Sequence, residues 1–376
     1  VRYLWSVMTV QENRFDLTAF DADAVLSWYD QHARKLPWRA RSPELAPAYH
    51  VFLSELMLQQ TVVATVIPYF NEFIRRWPDI HALAAADEDD VLRAWAGLGY
   101  YARARNMVKA AREISTAREG QFPQTADELI KLPGIGPYTA GAIAAIAFAQ
   151  PSVVLDGNIE RVFIRFAGID QPKKLVRDSL SERYLSVLPE TRRSDFPQAL
   201  MDIGAGICTP KQAKCDICPL AAGCAARRLP NPEDLPVKPV KPAKPVRQGE
   251  IYVITHPFNQ ILMTRRAPTG LLGGMMGFPS SGWDKSHHDQ KLLAALADAR
   301  KIRLPRGYSH IFTHFRADME VFHIQVSASW QPPENYSWAD INPDDWPTFF
   351  RKAWQQAESF LKNVGGAQSR SFKDTP

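Results

Sequence analysis

All four cysteines of the 376-residue chain lie in one short stretch, spaced Cys208-x6-Cys215-x2-Cys218-x5-Cys224. Four thiolates so close in sequence can wrap one metal centre, and random scatter would not gather them there. The first twenty residues hold Trp5, Glu12 and Asp16 and no sustained apolar core. They read as neither a signal nor a transit peptide, so the expected compartment is the cytoplasm, with association with the nucleoid. In that setting clustered thiols point to a metal rather than to disulfides. A zinc ribbon normally offers two short Cys-x2-Cys hooks, whereas here one hook carries longer arms on both sides. A [4Fe–4S] cluster is larger than a single ion, takes four thiolates and suits a looser wrap. Zinc, or four buried structural thiols, remain the alternatives.

Before residue 229 the chain reads as helical. Stretches 23–32, 49–63, 87–94 and 140–149 are rich in Ala, Leu and charge and are punctuated by Gly and Pro. From 229 to 247, Pro230, Pro232, Pro236, Pro239, Pro242 and Pro245 alternate with Lys238, Lys241 and Lys244, which predicts a semi-rigid extended linker. Strand-like runs follow at 251–255, 260–264 and 319–326, with one helical pattern at 291–300. The expected class is therefore multi-domain: a mainly α domain, then a smaller mixed α/β domain. The net charge of +5, from 45 basic and 40 acidic residues, permits a nucleic-acid partner without requiring one. A basic run between Tyr100 and Arg112 offers a candidate binding face, with a solvated helix face as the plainer reading.

Two further segments carry chemistry. In Leu132-Pro133-Gly134-Ile135-Gly136-Pro137-Tyr138-Thr139, Pro133 should end a helix that opens with a capping box, Thr125 to Glu128. The two glycines allow a tight turn, and the next helix opens at once, so its free amides can hold a phosphate. With the cysteine spacing, this segment resembles the helix-hairpin-helix of the endonuclease III superfamily of DNA glycosylases.

Asp156 follows an apolar run and should cap a helix, a position that favours a carboxylate. Glu55 sits in the apolar Val51-Phe52-Leu53-Ser54-Glu55-Leu56-Met57, where a lone carboxyl is costly to bury ionised and tends to stay protonated. An acid kept neutral near pH 7 is what general-acid catalysis needs. The plainer reading points Glu55 outward on an amphipathic helix. Ser54-Glu55 with Met57-Leu58-Gln59-Gln60-Thr61 resembles the signature of the MutY family of adenine glycosylases.

That resemblance extends over most of the chain, and its implications are specific. Glu55 would protonate the base and Asp156 would stabilise the sugar cation, with Asn158 arranging the site. Gln59, Gln60, Thr61, Tyr100, Gly134, Gly136, Lys211, Lys214 and Arg39 would meet DNA. One residue of the pair Gln59 and Gln60 would wedge into the duplex, Tyr100 would insert beside a damaged guanine, and Arg39 would come from the pocket motif Leu36-Pro37-Trp38-Arg39. Strand-cutting relatives carry a lysine nucleophile where this hairpin has Tyr138, and a phenol forms no Schiff base. The cofactors implied are one [4Fe–4S] cluster and a monovalent cation at the hairpin. The implied division is a glycosylase domain over 17–228, with a six-helix core at about 46–155 and a cluster subdomain from 17–45 and 156–228. A linker over 229–247, a Nudix-like domain over 248–362 and a polar tail over 363–376 complete it.

A working Nudix hydrolase needs a Glu-rich helix, and no Glu occurs between Glu250 and Glu320. Gly270-Leu271-Leu272-Gly273-Gly274 and Phe278-Pro279 match the loop pattern of the MutY family. Phe312-Thr313-His314 resembles its 8-oxoguanine reader, with threonine in place of serine. The implied partner is duplex DNA bearing adenine opposite 8-oxoguanine or guanine, bound by a monomer. The rivals are a thymine mismatch glycosylase, a bifunctional glycosylase–lyase and a non-catalytic DNA-binding protein.

Overall fold

The computed structural model describes residues 17–237, 243–267, 270–281 and 290–371. Residues 1–16, the middle of the proline–lysine stretch (238–242) and the last five residues lie outside them. The chain divides into two compact units, one comprising 1–94 and 103–240, the other 95–102 and 241–376.

The first unit is helical: α1 (Ala22–His32), α2 (Ala48–Leu58), α3 (Val63–Arg76), α4 (Ile80–Ala85), α5 (Glu88–Ala94), α6 (Ala102–Ala117), α7 (Ala126–Leu129), α8 (Pro137–Phe148), α9 (Gly157–Ala167), α10 (Lys173–Ser186) and α11 (Asp195–Gly206). Two of these helices are wrapped by the rest. Every residue of α2 from Val51 to Met57 is buried, as is every residue of α8 from Thr139 to Ala147. An all-round apolar helix is stable only in such a position. The small residues of α8 serve close approach, since a Cβ on Gly141 would collide with the carbonyl oxygen of Val153. That contact fixes the extended segment running into Asp156.

Three local expectations are corrected. The helix expected over 49–63 is two helices, because Gln60 takes the left-handed conformation (φ 59°) and turns the chain between α2 and α3. Thr125 precedes α7 without capping it: its hydroxyl faces the Glu128 carboxylate at 3.5 Å and bonds no backbone amide. The helix expected over 291–300 spans only Gln290–Ala295.

The second unit is a seven-stranded mixed sheet: β1 (Val246–His256), β2 (Gln260–Arg265), β3 (Met276–Gly277), β4 (Lys301–Arg303), β5 (Tyr308–Ile311), β6 (Arg316–Gln325) and β7 (Tyr336–Asp340). Its order is β3-β2-β1-β6-β4, with β5 also on β6 and β7 also on β2; β1 and β6 run parallel. β1 therefore begins inside the stretch read as linker. Ile251 and Val253 pack toward α13 (Thr348–Ser371), while Tyr252 and Ile254 pack toward α12 (Gln290–Ala295). A strand covered on both faces explains the unbroken apolar run there. α13 continues through 363–371, which the sequence presents as tail. Among the described residues, no helix is long and apolar enough to cross a membrane.

Candidate active site

Glu55 is 5% exposed on an otherwise apolar helix. It helps line a small cavity with Arg34, Trp38, Arg39, Gln198 and Met201. Burial pushes the Glu55 carboxyl up to about 7. The Tyr138 hydroxyl, donating to it, and the positive charge of Arg39 act against the rise, while the negative charge of Asp156 adds to it. Tyr138 is itself pushed well above the usual phenol range, first by burial and then by the charges of Glu55 and Asp156. The plainer reading of Glu55, outward on an amphipathic helix, does not hold.

Asp156 is half-buried and lies outside that cavity lining, at the start of α9. Its Oδ1 accepts the backbone N–H of Asn158 (2.9 Å) and of Ile159 (2.7 Å), and Oδ2 accepts the side-chain amide of Asn158 (2.8 Å). Asn158 is held in turn: its amide oxygen accepts from Arg161 (2.9 Å), and Gly204 of α11 packs so close that an added Cβ would stand 2.6 Å from the Asn158 Cβ. The structure thus brings Glu55, Tyr138, Asp156 and Asn158 into one neighbourhood.

Several residues there escaped the sequence reading. Asp202, fully buried, receives Arg34 Nε at 2.6 Å and both Nη atoms of Arg39 at 2.8 and 2.9 Å. Arg39 is consequently part of the pocket wall, its side chain 8% exposed. Arg103, read as part of a basic face, turns inward instead. Its Nη1 bonds the carbonyls of Leu56, Met57 and Gln59 at 2.8, 3.0 and 2.5 Å and closes the end of α2. Arg112 likewise reaches the carbonyls of Ala84 and Ala86, both at 3.3 Å. Only the pairing of side chains distant in sequence reveals these roles.

Gln59 is half-buried, with its amide on the Thr139 hydroxyl at 3.2 Å; Gln60 is exposed beside it, and Thr61 is half-buried. Gly134 is exposed in the left-handed conformation (φ 76°), Gly136 caps α8 without a side chain, and the first turn of α8 has no side-chain cap. Lys211 and Lys214 are exposed beside the cysteines.

Cys208, Cys215, Cys218 and Cys224 line one small, largely apolar cavity. Arg165 Nη1 donates to Cys208 Sγ at 3.4 Å. Burial raises the Cys218 thiol to about 11, and the negative charges of the other three sulfurs add to the rise. Four thiolates at such a place need a cationic centre, so the donor set fits a thiolate-bound cluster. Among the described residues no set of His, Cys, Asp or Glu is gathered tightly enough for one metal ion.

In the second unit, Phe312, Thr313 and His314 form the tip between β5 and β6, closed by the Phe312 N–H on the Phe315 carbonyl at 2.9 Å. Thr313 and His314 are exposed, while the Phe312 ring packs on Phe349. Tyr100, which belongs to this unit, is 48% exposed and hydrogen-bonds the Thr313 hydroxyl.

Residues 53–184 match the family described as HhH-GPD superfamily base excision DNA repair protein, and residues 251–356 match the NUDIX domain. The chain is 35% identical over 370 residues to the adenine DNA glycosylase of Homo sapiens, an alignment covering 83% of this chain and 68% of that one. It is 35% identical over 418 residues to the adenine DNA glycosylase of Mus musculus, covering 95% and 81%. The adenine DNA glycosylase of Buchnera aphidicola from Acyrthosiphon pisum is 40% identical over 354 residues, covering 90% and 97%.

Proposed function

The chain belongs to the adenine DNA glycosylase family, and from that membership we propose that Glu55 and Asp156 together hydrolyse the N-glycosidic bond of an extruded adenine in base excision repair. The observation that carries this reading is a carboxyl group buried at a cavity wall and poised near neutral pH, electrostatically coupled to a second, hydrogen-bonded carboxylate.

Extrusion from the duplex costs a few kcal/mol, less for a mispaired base. Glu55 donates its proton to the adenine ring, and the C–N bond breaks with its electron pair leaving on the base. Asp156 stabilises the cationic sugar, and water adds hydroxide to the anomeric carbon while its proton returns to the Glu55 carboxylate, as glycosidases complete their reaction. Tyr138 holds the Glu55 carboxyl; having no amine, it forms no Schiff base, and the enzyme leaves an abasic site. The start of α8 with Gly134 and Gly136 would take a phosphate, Gln60 would enter the duplex, and Lys211 and Lys214 would touch the backbone. Cys208, Cys215, Cys218 and Cys224 would hold a [4Fe–4S] cluster, which when bound crosslinks that loop through four thiolates. Thr313 and His314, lifted on the Phe312 tip and joined by Tyr100, would read 8-oxoguanine opposite the adenine.

The test is single-turnover base release from A·8-oxoguanine, A·G, A·C and T·G duplexes, with borohydride trapping alongside. Release from the first two and no efficient adduct are expected. Preference for T·G, or trapping as efficient as that of a lysine enzyme, would overturn the reading.

A further inference from the structure

The last lysine of the proline–lysine stretch reaches the β5–β6 tip. Lys244 Nζ donates to the Phe312 carbonyl at 2.9 Å, on the peptide group that leads into Thr313. The segment carrying Lys244 is fastened to the strand that leaves the tip. The Pro245 carbonyl accepts the Arg316 N–H at 2.9 Å, Val246 pairs in register with Arg316, and the Arg247 guanidinium lies 4.6 Å from the centre of the buried Phe315 ring. Pro245 fixes its own φ and favours an extended Lys244 before it, so the lysine departs in a set direction. Side chain and main chain of the tip are thus held by different elements. The Phe312 ring packs on His310 at 4.6 Å and on Phe349 at 5.4 Å. Those contacts orient the ring, whereas the peptide beyond it is met by Lys244. An exposed ammonium gains little stability by exchanging water for a carbonyl. The use of this bond is therefore where it puts the peptide.

We propose that Lys244 is a positioning residue for lesion recognition: by holding the Phe312 carbonyl it sets how Thr313 and His314 are presented to the base opposite the adenine. The inference rests on the reading of this tip as the 8-oxoguanine reader and gives the end of the proline–lysine stretch a part in specificity. It stands apart from the catalytic roles of Glu55 and Asp156.

The experiment compares the full chain with Lys244→Met, which keeps the stem without the donors, with Lys244→Arg, which restores a donor, and with Thr313→Ala. Single-turnover base release is followed over enzyme concentration on A·8-oxoguanine and A·G duplexes, so that half-saturation and limiting rate are read separately. Duplex affinity against salt and melting temperature are measured alongside. Lys244→Met should lose about threefold in preference for A·8-oxoguanine, the scale of one exposed hydrogen bond, with the melting temperature unchanged. Lys244→Arg should recover most of that loss. A lysine acting only through its charge on the DNA backbone would instead weaken both duplexes equally and flatten the log–log salt slope by about one. A lysine that only holds the fold would lower the melting temperature and both rates together. Either of those results, an unchanged preference, or a loss that arginine does not recover overturns the proposal. Thr313→Ala separates it from the reading beneath it. If that variant loses preference and Lys244→Met does not, positioning by Lys244 alone is wrong; if neither loses it, the assignment of the tip fails first.

Discussion

The end of α2 and the start of α9 each present one carboxyl group, and they hold it by opposite means. Glu55 is buried on an apolar helix with a phenol as its hydrogen-bond donor, and its pKa rises to about 7. Asp156 is gripped by two backbone amides and a side-chain amide. One region favours the protonated form, and the other surrounds its carboxyl with hydrogen-bond donors. A reaction that needs an acid and an anionic stabiliser within one site needs this asymmetry.

The largest test of the contrast removes each function in place. Glu55→Gln keeps shape but cannot donate a proton, and single-turnover base release should fall by about 1,000-fold or more. Asp156→Asn keeps a cap for α9 but loses the negative charge, so release should fall by at least about 100-fold with the melting temperature little changed. Full activity in either variant would dissolve the comparison.

A second test reads the strain at Glu55 as stability. Its folded pKa lies above the unfolded value of 4.5, so the folded state binds the extra proton between them. The favourable contribution is complete below the unfolded pKa and is lost as pH rises through about 7. Glu55→Gln cannot ionise. Denaturant unfolding should therefore show the variant gaining on the parent by up to about 3 kcal/mol between about pH 4 and pH 8.5. An unchanged gap would mean that the carboxyl is not buried at such a cost.

The sequence revealed one half of this contrast more fully than the other. Asp156 announces itself because a cap is local: a short acidic side chain after an apolar run, with its amide partners two and three residues on. The apolar frame of Glu55 is equally plain along Val51 to Met57. What no window of sequence contains is the far wall. Asp202 meets Arg39 across 163 residues and Arg34 across 168, so neither partner looks unusual in its own segment. The same reason hides Arg103, whose charge reads as surface until the carbonyls at the end of α2 stand in front of it. The opposite error occurs at Thr125 and Glu128, where local spacing suggests a capping box that the short α7 does not form.

A smaller shift should appear when the phenol between the two carboxyls is removed. The hydrogen bond from Tyr138 lowers the Glu55 pKa, so Tyr138→Phe should raise it. On the proposed mechanism base release requires protonated Glu55, so in the parent it should decline as pH rises past about 7. In Tyr138→Phe that alkaline limb should move to higher pH, with only a few-fold change at the plateau. A limb moving to lower pH would mean that Tyr138 stabilises the neutral acid instead.

The smallest effect belongs to the β5–β6 tip, which on the proposed reading serves recognition and leaves Glu55 and Asp156 in place. Thr313→Ala removes a hydroxyl that meets Tyr100 and faces solvent on an otherwise closed turn. Phe312 still packs on Phe349 at 5.4 Å, so the turn itself should persist. A lost neutral hydrogen bond is worth about 0.5–1.5 kcal/mol, which corresponds to a few-fold loss in preference for A·8-oxoguanine over A·G. The rate on A·G should stay near that of the parent, since Glu55 and Asp156 are untouched. Equal losses on both duplexes would assign the tip to holding the fold or to general DNA affinity, and the separation between reading the lesion and cleaving the bond would fail there.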